Sequence, residues 1–203
     1  MTDDPLAAME QTIVEEEIKN PSSPIESDGH LYFESSITNA TVNAKGNIII
    51  GDNCEGCTLN STLGSVFILY GSSHNAKVAA GKNIYVKHVV NSNLDAKGDI
   101  IIENTSMDSQ LIAGGTIVTE SKVGQIIGGS SKAATLIKSF AIGNKRQRET
   151  SVEVESESGI VEAEIVYSEV KVKVHEASEL ITKENKQIRY TAEGKRLISE
   201  HFH

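Results

Sequence analysis

The sequence predicts an all-β protein: a single-stranded parallel β-helix, with a short N-terminal helix before it and an antiparallel β tail after it. Three observations carry that prediction. The first is a repeat between Thr41 and Gly143, written TVNAKGNIII from Thr41, KVAAGKNIYV from Lys77, NLDAKGDIII from Asn93 and QLIAGGTIVT from Gln110. A weaker copy, TLNSTLGSVFIL, starts at Thr58, and a degenerate sixth starts at Gln125. The second is the spacing of the small residues Ala44, Ser61, Ala80, Ala96, Ala113 and Gly128, which fall 17, 19, 16, 17 and 15 residues apart. Short β-branched runs broken by Gly, Asn, Asp and Ser at such a period are the mark of a strand solenoid. The third is composition: 38% hydrophobic but only 4% aromatic, with no Trp. A core of Ile, Val, Leu and Ala suits the narrow interior of a stacked coil, each buried aliphatic contributing about 1.5–3 kcal/mol.

The N-terminal segment, residues 1–30, reads as an acidic arm. DDPLAAMEQTIVEEEIK from Asp3 has a cap in Asp3 or Asp4, Pro5 at the first helical position, and an apolar stripe of Leu6, Met9 and Ile13. NPSSPIESDGH after it has the composition of a linker. Residues 31–148 form the repeat body. In each coil the aliphatic residue two places before the small position points inward, as do alternate members of the following run: Val42, Ile48 and Ile50, then Val78, Ile84 and Val86, then Leu94, Ile100 and Ile102. The alanines sit where coils stack at strand spacing and a larger side chain collides. Gly46, Gly81 and Gly98 supply permissive corners. No proline follows Pro24, so nothing interrupts the ladders. Residues 149–203 read as a β cap or tail: SVEVESE and EVKVKVH alternate strictly, and QIRYTAEGKRLI is a hairpin with Glu193–Gly194 at its turn. A cap is needed because an open coil exposes unpaired strand edges.

Charge narrows function. The net −9 divides into −7 over residues 1–30, +3 over 31–148 and −5 over 149–203. An acidic arm and tail around a near-neutral body argue against nucleic acid as a partner. Lys145, Arg146 and Arg148 are the one tight basic cluster and read as a solvated turn. No stretch approaches eighteen apolar residues and the N-terminus lacks an apolar signal region, so no transmembrane segment and a cytoplasmic location are expected.

Candidate chemistry is sparse. Cys54 and Cys57 form a CEGC pair, the candidates for a metal, with His74 or His88 within reach of stacking. A structural zinc needs four ligands and no second pair exists, so two turn cysteines are the expectation. The histidines are scattered, and no catalytic motif of nucleophile, phosphate or metalloprotease type occurs. The Gly pairs at 114–115 and 128–129 lack the Lys-Ser/Thr of a phosphate loop. A carbohydrate-cleaving β-helix needs clustered carboxylates on one face. Asp95, Asp99, Glu103 and Asp108 are the residues that can line one side, but aromatic residues for sugar stacking are nearly absent there. A hexapeptide acyltransferase fits badly with the irregular spacing. The expectation is no enzyme, no catalytic residue and no cofactor.

The run GQIIGGSSKAATLIKSFAIGNKRQRETSVEV, residues 124–154, resembles the signature of the flagellar assembly protein A family. Gly124, Ile126, Gly128 and Gly129 match its Gly-x-Ile-x-Gly-Gly element, Ala133 or Ala134 its alanine-bearing coil, and Ile142–Gly143 with Thr150 its last two steps. AAGKNIYV, DAKGDIII and IVYSEVKVKV are similar to other family segments, so the resemblance covers residues 37–197. It implies a right-handed β-helix without catalytic activity that acts in flagellar assembly or polar organisation through protein contacts. The repeat puts structural weight on Ala44, Ala80, Ala96 and Ala113, and the resemblance adds Gly124, Gly128, Gly129 and Gly143. The larger N-terminal domain and charged helical hairpin of the family have no counterpart here. The C-terminal domain of the cell-division inhibitor MinC and the bactofilins are more distant architectural relatives. Two readings therefore stand: a scaffold that binds a protein partner, and a bactofilin-like homo-oligomer or polymer.

Overall fold

A computed structural model describes residue 6 and residues 8–202. The chain winds through three strand positions per coil, and each position pairs in parallel with its counterparts one coil below and one coil above. On the first face nine segments stack, beginning at Gln11, His30, Ile48, Val66, Ile84, Ile100, Thr116, Leu136 and Ile160. Nine matching segments build the second face, from Ile18 to Val166, and nine the third, from Ile25 to Val174. Some corners bend without leaving the ladder: Ile100–Ala113 is one continuous strand across all three faces.

The interior is filled by columns. On the first face Leu31, Ile48, Val66, Ile84, Ile100, Ile117, Ile137 and Val161 lie in register, each at most 2% exposed. On the third face Val42, Leu59, Val78, Leu94 and Leu111 do the same, with the buried Ser131 between Leu111 and Val152. Strand alternation sends every second side chain inward, and β-branched residues fit that pleated, half-buried surface. The small position ends each third-face strand. Ala44, Ser61, Ala80, Ala96 and Ala113 stack in one column, continued by Ala133 and then by Val154 and Val174.

Several expectations from sequence are corrected here. No helix occurs among the described residues. The segment assigned to a helix forms the strand Gln11–Val14, paired with His30–Phe33, and the short strand Ile18–Lys19, paired with Ile37–Thr38. A helix of that length is marginal alone, whereas as a strand its Val14 joins the packed core and its backbone enters the ladder. Asp3, Asp4 and Pro5 lie outside the described residues. The parallel ladder thus begins inside the segment assigned to an arm and runs to Val174, well beyond residue 148. The sixth small residue is Ala133, in register with Ala113, and not Gly128. Gly46, Gly81 and Gly98 have no positive φ. They are needed for close approach: a Cβ on Gly46 would stand 2.7 Å from the Gly29 carbonyl oxygen one coil below.

Beyond the last coil the pairing turns antiparallel. Ala177–Leu180 lies against Val170–Val174, Asn185–Glu193 against Ile160–Val166, and Arg196–His201 against Asn185–Glu193. Glu193 pairs with Arg196, so the tight turn is Gly194–Lys195, one residue later than the sequence suggests, with Gly194 at φ +60°. Ile181, Ile188 and Tyr190 close the end of the core.

Glu162 fastens this end. Its carboxylate accepts hydrogen bonds from Lys138 Nζ at 2.7 Å and from Arg189 Nη2 at 2.6 Å and Nε at 3.0 Å, joining the eighth coil, the ninth and the antiparallel strand. Burial works against the carboxylate, but the two cations outweigh it and hold its pKa below the usual range. An unfolded Glu titrates near about 4.3. The stabilisation from a lowered pKa is fully present above that value and is lost as pH falls through the folded value. Thermal melts of wild type and Glu162→Gln should therefore differ most near neutral pH and converge in acid. A gap independent of pH would show that the ion triad does not stabilise the end.

Candidate binding surfaces

The corners carry most of the polar residues, and each corner has its own chemistry. Between the second and third faces the backbone enters the left-handed region in each of the first seven coils, at Asn20, Asn39, Gly56, Asn75, Asn91, Asp108 and Gly128 with φ between 46° and 68°, and His74 and Gly129 extend it in two of them. Asn, Asp and Gly tolerate that region best. The residue just after this corner repeats a second device. Ser92 and Ser109 donate their hydroxyls to the carbonyls of Val90 and Met107, two residues back, and Ser109 Oγ accepts the Ser92 N–H from the coil below. Thr150 does the same with Arg148 O and the Gly128 N–H.

Cys57 occupies this position in its own coil. Its thiol donates to Glu55 O at 3.3 Å, and its sulfur accepts the buried Ala40 N–H at 3.4 Å. Cys57 is therefore a sulfur version of the corner serine. Cys54 points into the second-face interior in register with Ile37 and Ser72. Hydrogen bonding with Cys57 and burial both push the Cys54 thiol up, away from thiolate. Both cysteines are buried and unbridged, and no group of three His, Cys, Asp or Glu side chains converges among the described residues. Cys57→Ser should keep stability within about 1 kcal/mol, because the hydroxyl can make both bonds, whereas Cys57→Val should lose about 1–3 kcal/mol by orphaning the Ala40 N–H. Urea melts of the two variants check this; equal losses would refute the serine-like role.

Gly128, Gly129 and Gly143 lie at this second-to-third-face corner, and Gly124 at the turn between the first and second faces. Gly128 and Gly129 have φ of +68° and +74°, and a Cβ on Gly129 would run into the Ser109 backbone. Gly143, at φ +80°, packs on Tyr167 and Val170. Gly124 closes a turn with its N–H on Ser121 O. The neighbouring Arg148 is paired with Asp108, and Asn144 Oδ1 accepts the N–H groups of Arg146 and Arg148, which makes the basic cluster a tied turn.

Between the third and first faces runs an unbroken side-chain ladder. His30 Nδ1 accepts the Asn47 N–H, Asn47 Oδ1 the Ser65 N–H, Ser65 Oγ the Asn83 N–H, Asn83 Oδ1 the Asp99 N–H and Asp99 Oδ1 the Thr116 N–H, at 2.7–3.2 Å. Asp99 is thereby committed to backbone. The four carboxylates weighed as a cleft do not meet. Asp95 lies on the third face near Lys97, Glu103 follows the first face beside Lys87, and Asp108 sits at the next corner with Arg148.

The outer faces differ sharply. The third face presents Glu26, Asn43, Asn60, Ala79, Asp95, Ile112, Lys132 and Glu153 in register, with an open groove of about 460 Å³ along its middle. A second open depression of about 540 Å³ lies among Lys122, Lys138, Phe140, Glu164 and Phe202. The first face instead presents an apolar column: Ile13, Tyr32, Ile49, Phe67, Tyr85, Ile101 and Val118, one per coil over seven coils. Lys138, Glu162 and Arg189 end it. The rings of Phe67 and Tyr85 stack at 4.8 Å, and Lys87 Nζ lies 5.4 Å from the ring centre of the neighbouring Tyr70. Leu69 and Tyr70 are each 54% exposed at the edge. The sequence reading passed over this column. Its signal is present: the middle residue of each run, as in III, VFI and IYV, is apolar where alternation calls for a polar one.

Compared with known proteins, residues 25–200 match the flagellar assembly protein A β-solenoid domain. The chain belongs to that family. The match takes in the coils from Ile25 onward and nearly all of the antiparallel end, while the strands Gln11–Val14 and Ile18–Lys19 precede it. Flagellar assembly protein A proteins form a non-enzymatic assembly family. No curated protein and no solved structure matches the chain. Among the described residues no helix is long and apolar enough to cross a membrane.

Proposed function

We propose that this flagellar assembly protein A relative is a rigid, right-handed, non-enzymatic scaffold that works in the cytoplasm, holding protein partners on its faces during flagellar assembly or polar organisation. The observation that carries the reading is the family match over residues 25–200, which takes in the ladder from the last strand of the first coil onward. A rod of this kind suits display, since nearest-neighbour stacking fixes the relative positions of side chains along a face. In the native cell, deletion of the gene should reduce the number or misplace the position of flagella counted by electron microscopy, and the full chain supplied in trans should restore them. Normal flagella in the deletion strain would end this reading.

A second reading, bactofilin-like stacking of copies, has one observation in its favour. The first-coil strands Gln11–Val14, Ile18–Lys19 and Ile25–Ser27 pair on one side only among the described residues, and a free strand edge is a template for another chain. Sedimentation across a concentration series separates the two: a fixed monomer or dimer supports the scaffold, and species that grow with concentration support stacking.

A further inference from the structure

We infer that the first face is the docking site for an amphipathic helix that carries lysine or arginine along one side of its apolar stripe. This deepens the scaffold reading and rests on it. Parallel sheets are ordinarily covered on both faces. Here the inner surface of the first face is packed by the solenoid core, while the outer one carries the apolar column from Ile13 to Val118 in partial exposure. Single exposed apolar residues call for no explanation, but a contiguous aligned set marks an interaction site.

Two properties of the column select the occupant. The first is its repeat. Coils stack about 4.8 Å apart, so seven of them span about 29 Å. A helix rises about 5.4 Å per turn and about 30 Å in 20 residues, so successive turns meet successive coils with little drift. An extended peptide repeats its same-face side chains about every 6.8 Å and falls out of step by the third coil. The second is charge. Two residues beyond the column, the outward positions are Glu15, Glu34, Gly51, Leu69, Lys87, Glu103 and Glu120, four acids against one base, and all four acids are exposed. Glu103 and Glu120 line one shallow groove with Tyr85, Ile101 and Leu69. Lys87, the one base in that groove, is already within 3.5 Å of Glu103. An acidic rim beside an apolar column selects an apolar partner with a basic flank, and it repels anionic lipid.

The test uses the full chain and two synthetic peptides of about 20 residues with leucines at helix-face spacing. One is flanked by lysine, the other by glutamate. Titration calorimetry should show binding of the lysine peptide that weakens as salt rises, and none of the glutamate peptide. Ile101→Glu should weaken the lysine peptide by about tenfold or more, and Glu103→Gln with Glu120→Gln by several-fold. Asp95→Asn with Glu26→Gln, on the third face, should leave binding unchanged and so controls for bulk charge. Circular dichroism melts confirm that each variant folds; should Ile101→Glu fail to fold, Tyr85→Lys serves in its place. Equal binding of both peptides, or equal loss from first-face and third-face variants, overturns the inference. So does a wild-type dimer that Ile101→Glu converts to monomer, because a second copy would then be the occupant. Binding to neutral lipid vesicles abolished by Ile101→Glu would overturn it in favour of a membrane. A deletion strain with normal flagella would sink the scaffold reading while leaving the peptide result standing, so the two failures are distinct.

Discussion

Truncating Ile100 to alanine should cost about 2–5 kcal/mol, the largest single effect expected in the molecule. Ile100 is fully buried in the fifth-to-seventh-coil region, in register with Ile84 below and Ile117 above. Removing three carbons there forfeits their transfer free energy and leaves a cavity that the neighbouring coils cannot close. Both neighbours are held at strand spacing by continuous backbone ladders. Because each coil leans on the next, the defect should weaken the stack on both sides rather than at one end. Urea melts read the loss directly, and Ile100→Val should give a graded cost of about 0.5–1.5 kcal/mol. A loss under about 1 kcal/mol for Ile100→Ala would mean that this column is not the tightly packed interior described above.

The opposite change at the small column should also be costly. Ala96 is 1% exposed and lies in register between Ala80 and Ala113. A leucine there must displace an alanine one coil away or force its own strand outward, at about 1–3 kcal/mol or more. Ala113→Leu should behave similarly, since Ala96 and Ala133 flank it. The column accepts valine only at Val154 and Val174, in the last two coils. Ala79, one residue before Ala80, points outward, and Ala79→Leu should change stability by less than about 0.5 kcal/mol. The inward and outward alanines of one strand thus test the pleat itself. Should Ala96→Leu melt like wild type, the small column is not where the coils press together.

How much of this was legible beforehand depended on how local the cause was. The regular phrases from Thr41 to Gln110 were legible because one strand alternation and one corner chemistry recur at nearly constant spacing. The first coil was not. Leu6, Met9 and Ile13 fall at helical spacing, and only the ladder with His30–Phe33 makes a strand the better use of that backbone. The sequence points to Gly128 as the sixth small residue because the seventh coil has two glycines, Gly128 and Gly129, at the corner where the two coils before it use Asn91 and Asp108. Register, which places Ala133 over Ala113, is a property of the stack. The CEGC pair looked like half a metal site in sequence. The hydrogen bonds of Ser92, Ser109 and Thr150 at the equivalent corner show Cys57 in the same structural role.

The sequence alone determined that the chain is a β-solenoid with an aliphatic interior, since alternation and periodic small residues are local constraints that each coil meets by itself. Only the tertiary structure decided which residues become neighbours across coils: the nine-coil extent, the Asn–Ser–Asp ladder, the Glu162 triad and the apolar column on the first face. Those features join residues about 16 to 27 positions apart through strand register. Register is set by the whole stack, where slipping one strand would turn its buried side chains toward water.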